Sequence, residues 1–468
     1  MTYKINLLHQ MSIVKILIFS YFDSNLNVKS IKRLFGIKKT EIAELLDLLT
    51  RFIKREPSTL KIFGDNPTTI HYYYEIVRFW NKINFIINRT SFNSTNRSES
   101  KLAKNFYTVY RILWEKASNE TILRELKSID KTFLKNIRQF SWKKALAGKS
   151  EIEKLSIYEG IPTFMINHLL PVMKLEFLKE NIKYMDNSTN NGIAYLRFNT
   201  LKRKNSLKNT FSQFKEELKK KKIRFNEDAQ IPYLINTPMT MRRNIIQNHW
   251  YQKGYLMFQD KASAAVVQAL SPQPQELVCD MCAAPGSKTS LMAQSMKNKG
   301  HIIAGDFMSS RIKTMNKLLK HLNVLNTHII NVDSIKFPAR FENHFDRILL
   351  DAPCTGNGTL SANPELKWRQ NEMFLHQCTL LQEKLFESAL KLVKHDGILI
   401  YSTCSLYPEE GEYIISKFSD RLEPLELPHW FSPSYTLKNS ILPGTGRLFP
   451  SIHHTQGFFI GKFKKKEI

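Results

Sequence analysis

Two short stretches of this 468-residue chain concentrate side chains able to do covalent chemistry. LLDAPCTGNG, residues 349–358, carries Asp351 and Cys354 out of an apolar run into a loop broken by Pro353, Gly356 and Gly358. YSTCSLYPEEGE, residues 401–412, presents Cys404 at the end of the next apolar run. A buried Cys is a common small hydrophobe, so one such thiol means little. Two thiols and a carboxylate at adjacent strand ends suit a specific problem. Carbon 5 of cytosine is too electron-poor to take a methyl group directly from a sulfonium. A thiolate adding to carbon 6 makes an enamine whose carbon 5 can attack, splitting one hard step into easier ones. A protonated Asp351 would hydrogen-bond ring nitrogen 3 and offset the developing charge. A second thiol would then assist release.

The third stretch, LVCDMCAAPGSKT, residues 277–289, is an apolar strand running through small residues into a helix that begins near Lys288. A loop of this kind faces the crevice where doubly wound sheets bind nucleotides. It lacks both GxGxxG and GxxxxGK[ST], which disfavours a dinucleotide and a triphosphate. S-adenosylmethionine remains, with the small residues Ala283, Ala284, Pro285 and Gly286 letting the backbone approach it closely. Asp306, in IIAGDF with Arg311 one helical turn on, ends a second strand and suits the ribose hydroxyls. Asp333 ends a third and suits the adenine amino group, and Asp351 ends a fourth. Any one of these alone is more often an ordinary strand-end or N-cap Asp; the series is the signal. Cys279 and Cys282 have CxxC spacing but no second pair and no His cluster, so no metal is expected.

The elements that must position these residues alternate strand and helix. Apolar runs at Leu277–Cys279, Ile302–Ala304, His328–Val332, Arg347–Leu350 and Gly397–Tyr401 predict an α/β fold, a Rossmann-like doubly wound domain over 250–468. His454–Lys462 adds an edge strand, and Lys464–Lys466 is solvated. A small α+β subdomain is expected over 150–245, with an alternating strand at Ala194–Phe198 and a basic helix through Phe211, Phe214 and Leu218. Lys219–Lys222, after that helix, reads either as a solvated end or as the wall of an RNA path. Residues 1–145 predict an all-helical domain: Ile42, Leu45, Leu46, Leu49 and Phe52 share one face after an N-cap at Thr40, and Tyr73, Ile76, Val77 and Trp80 share another. Thr90–Ser100 is Ser/Asn-rich and reads as a loop.

Composition narrows the partner. Lys and Arg number 69 against 42 Asp and Glu, a formal charge of +27 that favours a polyanion, above all RNA. Lys used freely on solvated faces would explain part of that excess. Five Cys make a poor disulfide framework, so a reducing cytoplasm is expected. Ile13–Phe22 is apolar but interrupted by Lys15 and too short for a bilayer, so no membrane association is expected. No obligate protein partner is evident in the sequence.

With these motifs in view, residues 155–463 resemble the Sun/Fmu family of RNA (cytosine-5-)-methyltransferases. The resemblance rests on YLRFNTLK, FQDKAS, DMCAAPGSKT, DAPCTGNG, YSTCSLYPEE and GRLFPSIHHTQGFFIG. It implies Cys404 of the TC motif as nucleophile and Cys354 of the PC motif as the group assisting release. It implies that the Cys282–Lys288 loop, Asp306, Asp333 and Asp351 contact S-adenosylmethionine, and that the substrate is rRNA or tRNA. Departures are Ser287 in place of a usual Gly, Gly411 in place of Asn, and Gln456 in place of Asp. The N-terminal helices are similar to a NusB-like RNA-binding domain. Among alternatives, a DNA enzyme would use the PC cysteine, and a protein N-methyltransferase would need Asn/Asp-Pro-Pro-aromatic where this chain has DAPC. A non-catalytic RNA-binding ribosome-assembly factor would be expected to lose Cys404 or the small-residue loop; both are present.

Overall fold

The computed structural model describes residues 37–54, 66–91, 98–126, 128–202, 207–437 and 439–466. The expected apolar stretch Ile13–Phe22 and residues 92–97 of the Ser/Asn-rich segment lie outside them. Two compact units emerge.

The larger unit comprises Leu169–Ser361 and Asn371–Ile468. A small antiparallel sheet comes first in the chain: β1 (Ile193–Phe198), β2 (Asn226–Glu227), β3 (Leu234–Pro238) and β4 (Leu256–Phe258), in the order β2-β3-β1-β4. The basic helix Leu207–Lys220 packs Phe211 and Phe214 on Phe198, with ring centroids 4.9 and 5.5 Å apart. β1 departs from the expected alternation. From Ala194 to Phe198 every residue is buried, including Arg197, because both faces of the strand are covered.

The main sheet follows: β5 (Leu277–Asp280), β6 (His301–Asp306), β7 (Thr327–Asn331), β8 (Phe345–Asp351), β9 (Val393–Thr403), β10 (Leu422–Pro424) and β11 (Ser432–Pro433). After the hairpin β12 (Thr436–Leu437) and β13 (Ser440–Ile441) come β14 (Thr445–Leu448) and β15 (Phe458–Lys465). The order is β11-β14-β15-β9-β8-β5-β6-β7. Strands β5 to β9 are parallel, and β15 joins antiparallel to β9. The expected C-terminal edge strand is therefore an interior one, flanked by β9 and β14, and Lys464 belongs to it, opposite Ile398. The chain builds β6 and β7 on one side of β5, then returns to build β8 and β9 on the other. That reversal opens a crevice at the carboxyl ends of β5 and β8.

The smaller unit holds the described residues up to His168 together with Ala362–Gln370. It is all-helical, with helices at Lys39–Ile53, Pro67–Arg78, Trp80–Thr90, Glu99–Leu113, Asn119–Glu125, Lys131–Arg138, Trp142–Ala145 and Glu151–Glu159. Leu45, Leu49, Ile76, Val77, Ile83 and Phe106 are fully buried in one core. Thr40 does not cap the first helix. The cap is Lys38, whose amide donates to the Glu41 carboxylate at 2.8 Å, so Thr40 lies inside the first turn. Ala362–Gln370 packs here through the Trp368 indole, which donates to the Val77 carbonyl at 2.6 Å. Among the described residues no helix is long and apolar enough to cross a membrane.

Candidate active site

Strands β8 and β9 run parallel with Asp351 opposite Ser402, so the two chemistry-bearing loops leave the sheet side by side. Cys354 and Cys404 meet there, sulfur to sulfur, at 3.2 Å. The two thiols are not equivalent. Cys354 is buried and Cys404 half-buried. The hydrogen bond with Cys404, reinforced by burial and by the nearby Glu410 carboxylate, pushes the Cys354 thiol well up. Cys354 therefore keeps its proton.

The Lys288 ammonium lies 2.9 Å from Asp351 Oδ2, and the Ser402 hydroxyl donates to Asp351 Oδ1 at 3.0 Å. Burial would lower the Lys288 pKa, but the Asp351 carboxylate outweighs it and carries it above its ordinary value, with Cys404 adding to the effect. Asp351 is thus paired with an ammonium and bonded to a hydroxyl, surroundings that suit a carboxylate, whereas the hydrogen bond to ring nitrogen 3 considered from the sequence would need a protonated one. Lys288, the first-turn Lys of helix Ser287–Ser295, is the hydrogen-bond donor at this rim.

The loop after β5 meets the end of β6. Asp306 accepts from the Ala284 amide and the Met308 amide, each at 3.1 Å, one on each carboxylate oxygen. Oδ1 keeps a lone pair for a ligand hydroxyl, while Oδ2 also faces the Arg311 guanidinium. Arg311 lies 3.3 Å from Asp306 and also donates to the Ala284 carbonyl, so it fastens the loop to the strand end. Asp333 accepts from the Ile335 amide at 3.2 Å, the ordinary duty of an N-cap. Cys279 points into the sheet core and is fully buried, whereas Cys282 is in the loop. Ser287 has no positive φ, so nothing in its backbone calls for Gly.

Several supports received no role from the motifs. Buried Glu410 accepts from the Thr355 amide at 2.8 Å and the Gln382 amide at 3.0 Å. Gln382 also donates to the Pro353 carbonyl at 2.9 Å, so the pair clamps the Cys354 loop from both sides. Arg447 and Glu412 form a fully buried pair, and Arg447 donates to the carbonyls of Ser405 and Tyr407 at 3.0 and 3.2 Å. Gly411 is compelled here, since a Cβ would sit 2.7 Å from the Phe459 ring and 3.0 Å from Arg447. Gly358 lets three loops meet: a Cβ there would fall 2.1 Å from the Gly457 carbonyl. Arg197 lies beneath helix Ser287–Ser295, donating to Ser290 at 2.8 Å, and burial lowers its guanidinium to about 9. Gln456 needs no acid, because its amide reaches Asp260, which caps helix Lys261–Leu270 and also accepts from Thr455 at 2.7 Å. The acids of the PEEGE run following TC, and the Arg of GRLFP, were the available signals for Glu410, Glu412 and Arg447.

The model of 16S rRNA methyltransferase RsmB/F matches residues 267–464. The tRNA (cytosine(49)-C(5))-methyltransferase of Pyrococcus abyssi is 35% identical over 229 residues, which cover 46% of this chain and 72% of that protein. The 28S rRNA (cytosine(4447)-C(5))-methyltransferase of Homo sapiens is 40% identical over 234 residues, covering 46% of this chain and 28% of its own. The probable ribosomal RNA small subunit methyltransferase B of Synechocystis is 38% identical over 230 residues, covering 47% and 50%. The chain thus spans half or less of the length of the last two relatives. The solved methyltransferase homolog protein from Pyrococcus horikoshii superposes with a TM-score of 0.58 at 30% identity, over 68% of this chain and all of that one. Motifs, sheet order and relatives coincide on the same residues, and the chain belongs to the RsmB/F family of methyltransferases.

Proposed function

We propose that this protein methylates carbon 5 of a cytosine in rRNA or tRNA, through a covalent intermediate on Cys404. The observation that carries the reading is the pair of thiols 3.2 Å apart beside the Lys288–Asp351 ion pair, at the carboxyl end of the sheet. S-adenosylmethionine fits the residues beside it. The Asp306 carboxylate, held by two backbone amides, presents acceptors suited to a ribose diol, and the small side chains of Ala283 and Ala284 leave its backbone approachable. Cys282, Pro285, Gly286, Ser287, Arg311 and Asp333 line or fasten the same loop and strand ends. When bound, this cofactor supplies the electrophilic methyl group.

The chain's own residues do the rest. The Cys404 thiolate adds its electron pair to carbon 6, and the electrons of the 5,6 double bond become available at carbon 5. Lys288, oriented by Asp351, donates to the pyrimidine's ring nitrogen or carbonyl oxygen and offsets the charge that accumulates there. After methyl transfer a base removes the proton from carbon 5, those electrons restore the double bond, and the carbon–sulfur bond breaks. The Cys404 sulfur leaves as a thiolate with the electron pair of that bond, and the Cys354 thiol, which keeps its proton, donates a hydrogen bond to it across 3.2 Å. Since the target carbon is stacked inside a duplex, the cytosine is unpaired or flipped before attack.

The test is methyl incorporation from labelled S-adenosylmethionine into unmodified total RNA, with wild type, Cys404→Ala and Cys354→Ala. The expected result is 5-methylcytosine with wild type, none with Cys404→Ala, and a retained covalent RNA adduct with Cys354→Ala. Activity in Cys404→Ala with none in Cys354→Ala reverses the assignment of the nucleophile. No incorporation by wild type removes the catalytic reading in favour of an RNA-binding assembly factor.

A further inference from the structure

The helical unit carries a surface that the reaction does not use. Between Lys131 and Lys149 the chain has six basic side chains and no carboxylate, interleaved with Phe133, Phe140 and Trp142. Lys131, Lys135, Lys143 and Lys144 are exposed and form no ion pair among the described residues. The Asn136 side chain donates to the Thr90 carbonyl at 2.9 Å, which sets helix Lys131–Arg138 beside the end of helix Trp80–Thr90. On that second helix Lys82, Phe85 and Arg89 follow one another at helical spacing.

The rings form one continuous ridge. Phe85 stacks parallel to Trp142 at 6.3 Å, Phe140 meets Trp142 edge-on at 4.9 Å, and Trp142 meets Tyr158 at 5.8 Å. Cations stand at both ends: Arg89 is 5.3 Å from the Phe85 ring, and Lys82 is 4.3 Å from that of Tyr158. Tyr158 is 50% exposed, so its ring is available to a partner. Phe140 and Trp142 also pack on the helical core, which accounts for their inner edges. Packing does not account for the four exposed lysines of the segment that carries Phe140 and Trp142, none of which has an ion-pair partner among the described residues; like charges so close in sequence favour an anionic partner.

We propose that this ridge is a docking site for a single-stranded segment of the RNA substrate. Lys135, Lys143, Lys144 and Arg89 hold successive phosphates, and an unpaired base stacks at Tyr158. Charge complementarity selects a polyanion, and the aromatic ridge selects one that offers flat unpaired bases. The inference rests on the reading that the substrate is RNA, but requires no particular base or chemistry.

The experiment measures binding by the full chain, without S-adenosylmethionine, to a fluorescein-labelled RNA hairpin with a single-stranded tail and to a blunt duplex of the same stem. In Lys135→Glu/Lys143→Glu/Lys144→Glu, Kd should rise at least tenfold. The slope of log affinity against log salt should flatten by about two, three contacts at about 0.7 each. In Tyr158→Ala, affinity for the tailed RNA should fall about tenfold and affinity for the blunt duplex should not change. All these side chains are exposed; should charge reversal lower the melting temperature, the corresponding triple Lys→Gln is read in its place. A triple variant within twofold of wild type with an unchanged salt slope overturns the proposal. An equal loss on tailed and blunt RNA in Tyr158→Ala overturns its stacking part. Methyl incorporation by wild type separates the two readings: ridge-dependent binding by a wild-type protein that makes no 5-methylcytosine upholds this inference while removing the catalytic one, and 5-methylcytosine formation with binding that the triple variant leaves unchanged does the reverse.

Discussion

Replacing Arg447 by Met should loosen the catalytic centre without touching it. The Arg447 and Glu412 side chains are fully buried, and Nε of Arg447 lies 2.7 Å from Glu412. Burial alone would depress the guanidinium pKa, but the carboxylate outweighs it and holds the charge in place. Arg447→Met strands the Glu412 carboxylate, a defect that costs about 3–5 kcal/mol. It also removes the donor from the Ser405 and Tyr407 carbonyls on the loop that leaves Cys404. At about 2 °C per kcal/mol for a unit of this size, the melting temperature should fall by roughly 6–10 °C. Glu412→Leu alone should cost a similar amount, because it leaves the cation unpaired. The double variant Glu412→Leu/Arg447→Met removes both charges and should recover at least half of the summed loss, a coupling of about 3 kcal/mol or more. The assays are thermal unfolding by circular dichroism and methyl incorporation measured well below the lowest melting point. Arg447→Met melting within 2 °C of wild type, at about 2 °C per kcal/mol, would refute the argument. So would a double variant as unstable as the sum of the singles.

Other substitutions probe separate groups. Glu365, in the helical unit, is fully buried, and burial raises it from 4.5 to about 7 against the opposing pull of its own backbone amide, Arg369 and Arg78. The folded state thus binds its proton more tightly than the unfolded one, so this contribution is complete below pH 4.5 and lost as pH rises to about 7. Glu365→Gln should therefore gain stability relative to wild type by up to about 3 kcal/mol between pH 4.5 and pH 8; a difference in unfolding free energy that stays constant with pH contradicts the assignment. Lys288→Met removes the donor at the Asp351 rim and should lower kcat roughly 100-fold or more with little change in KM for RNA. A loss under about fivefold would reduce Lys288 to a structural partner of Asp351.

Much of the catalytic half was legible from local pattern alone. Each parallel strand is an apolar run ended by a loop of small residues or an Asp, and β5, β6, β7, β8 and β9 lie within a few residues of the expected runs. Chain order also told that Asp351 and Cys404 end successive strands, since a doubly wound sheet puts such ends on one rim. The sequence pattern was silent where partners are distant in sequence. Alternation on β1 misjudged Arg197, because burial of the outer face comes from a helix 90 residues away. The place of β15 inside the sheet depends on β14 pairing beyond it, which its own residues do not announce. Thr40 looked like a cap until Glu41 took the free amide.

What the sequence determined by itself is the chemical inventory: two thiols, their strand ends, the small-residue loop and the acids that follow it. Covalent chemistry needs particular residue types, and those are visible one at a time. What tertiary structure alone decided is how they differ from one another. Only packing buries Cys354 under Glu410 and leaves Cys404 more open, turns Asp351 to Lys288, and sets Arg447 against Glu412 behind the loop. Charge states and distances are sums over neighbours brought from many parts of the chain, and a linear pattern carries no record of that sum.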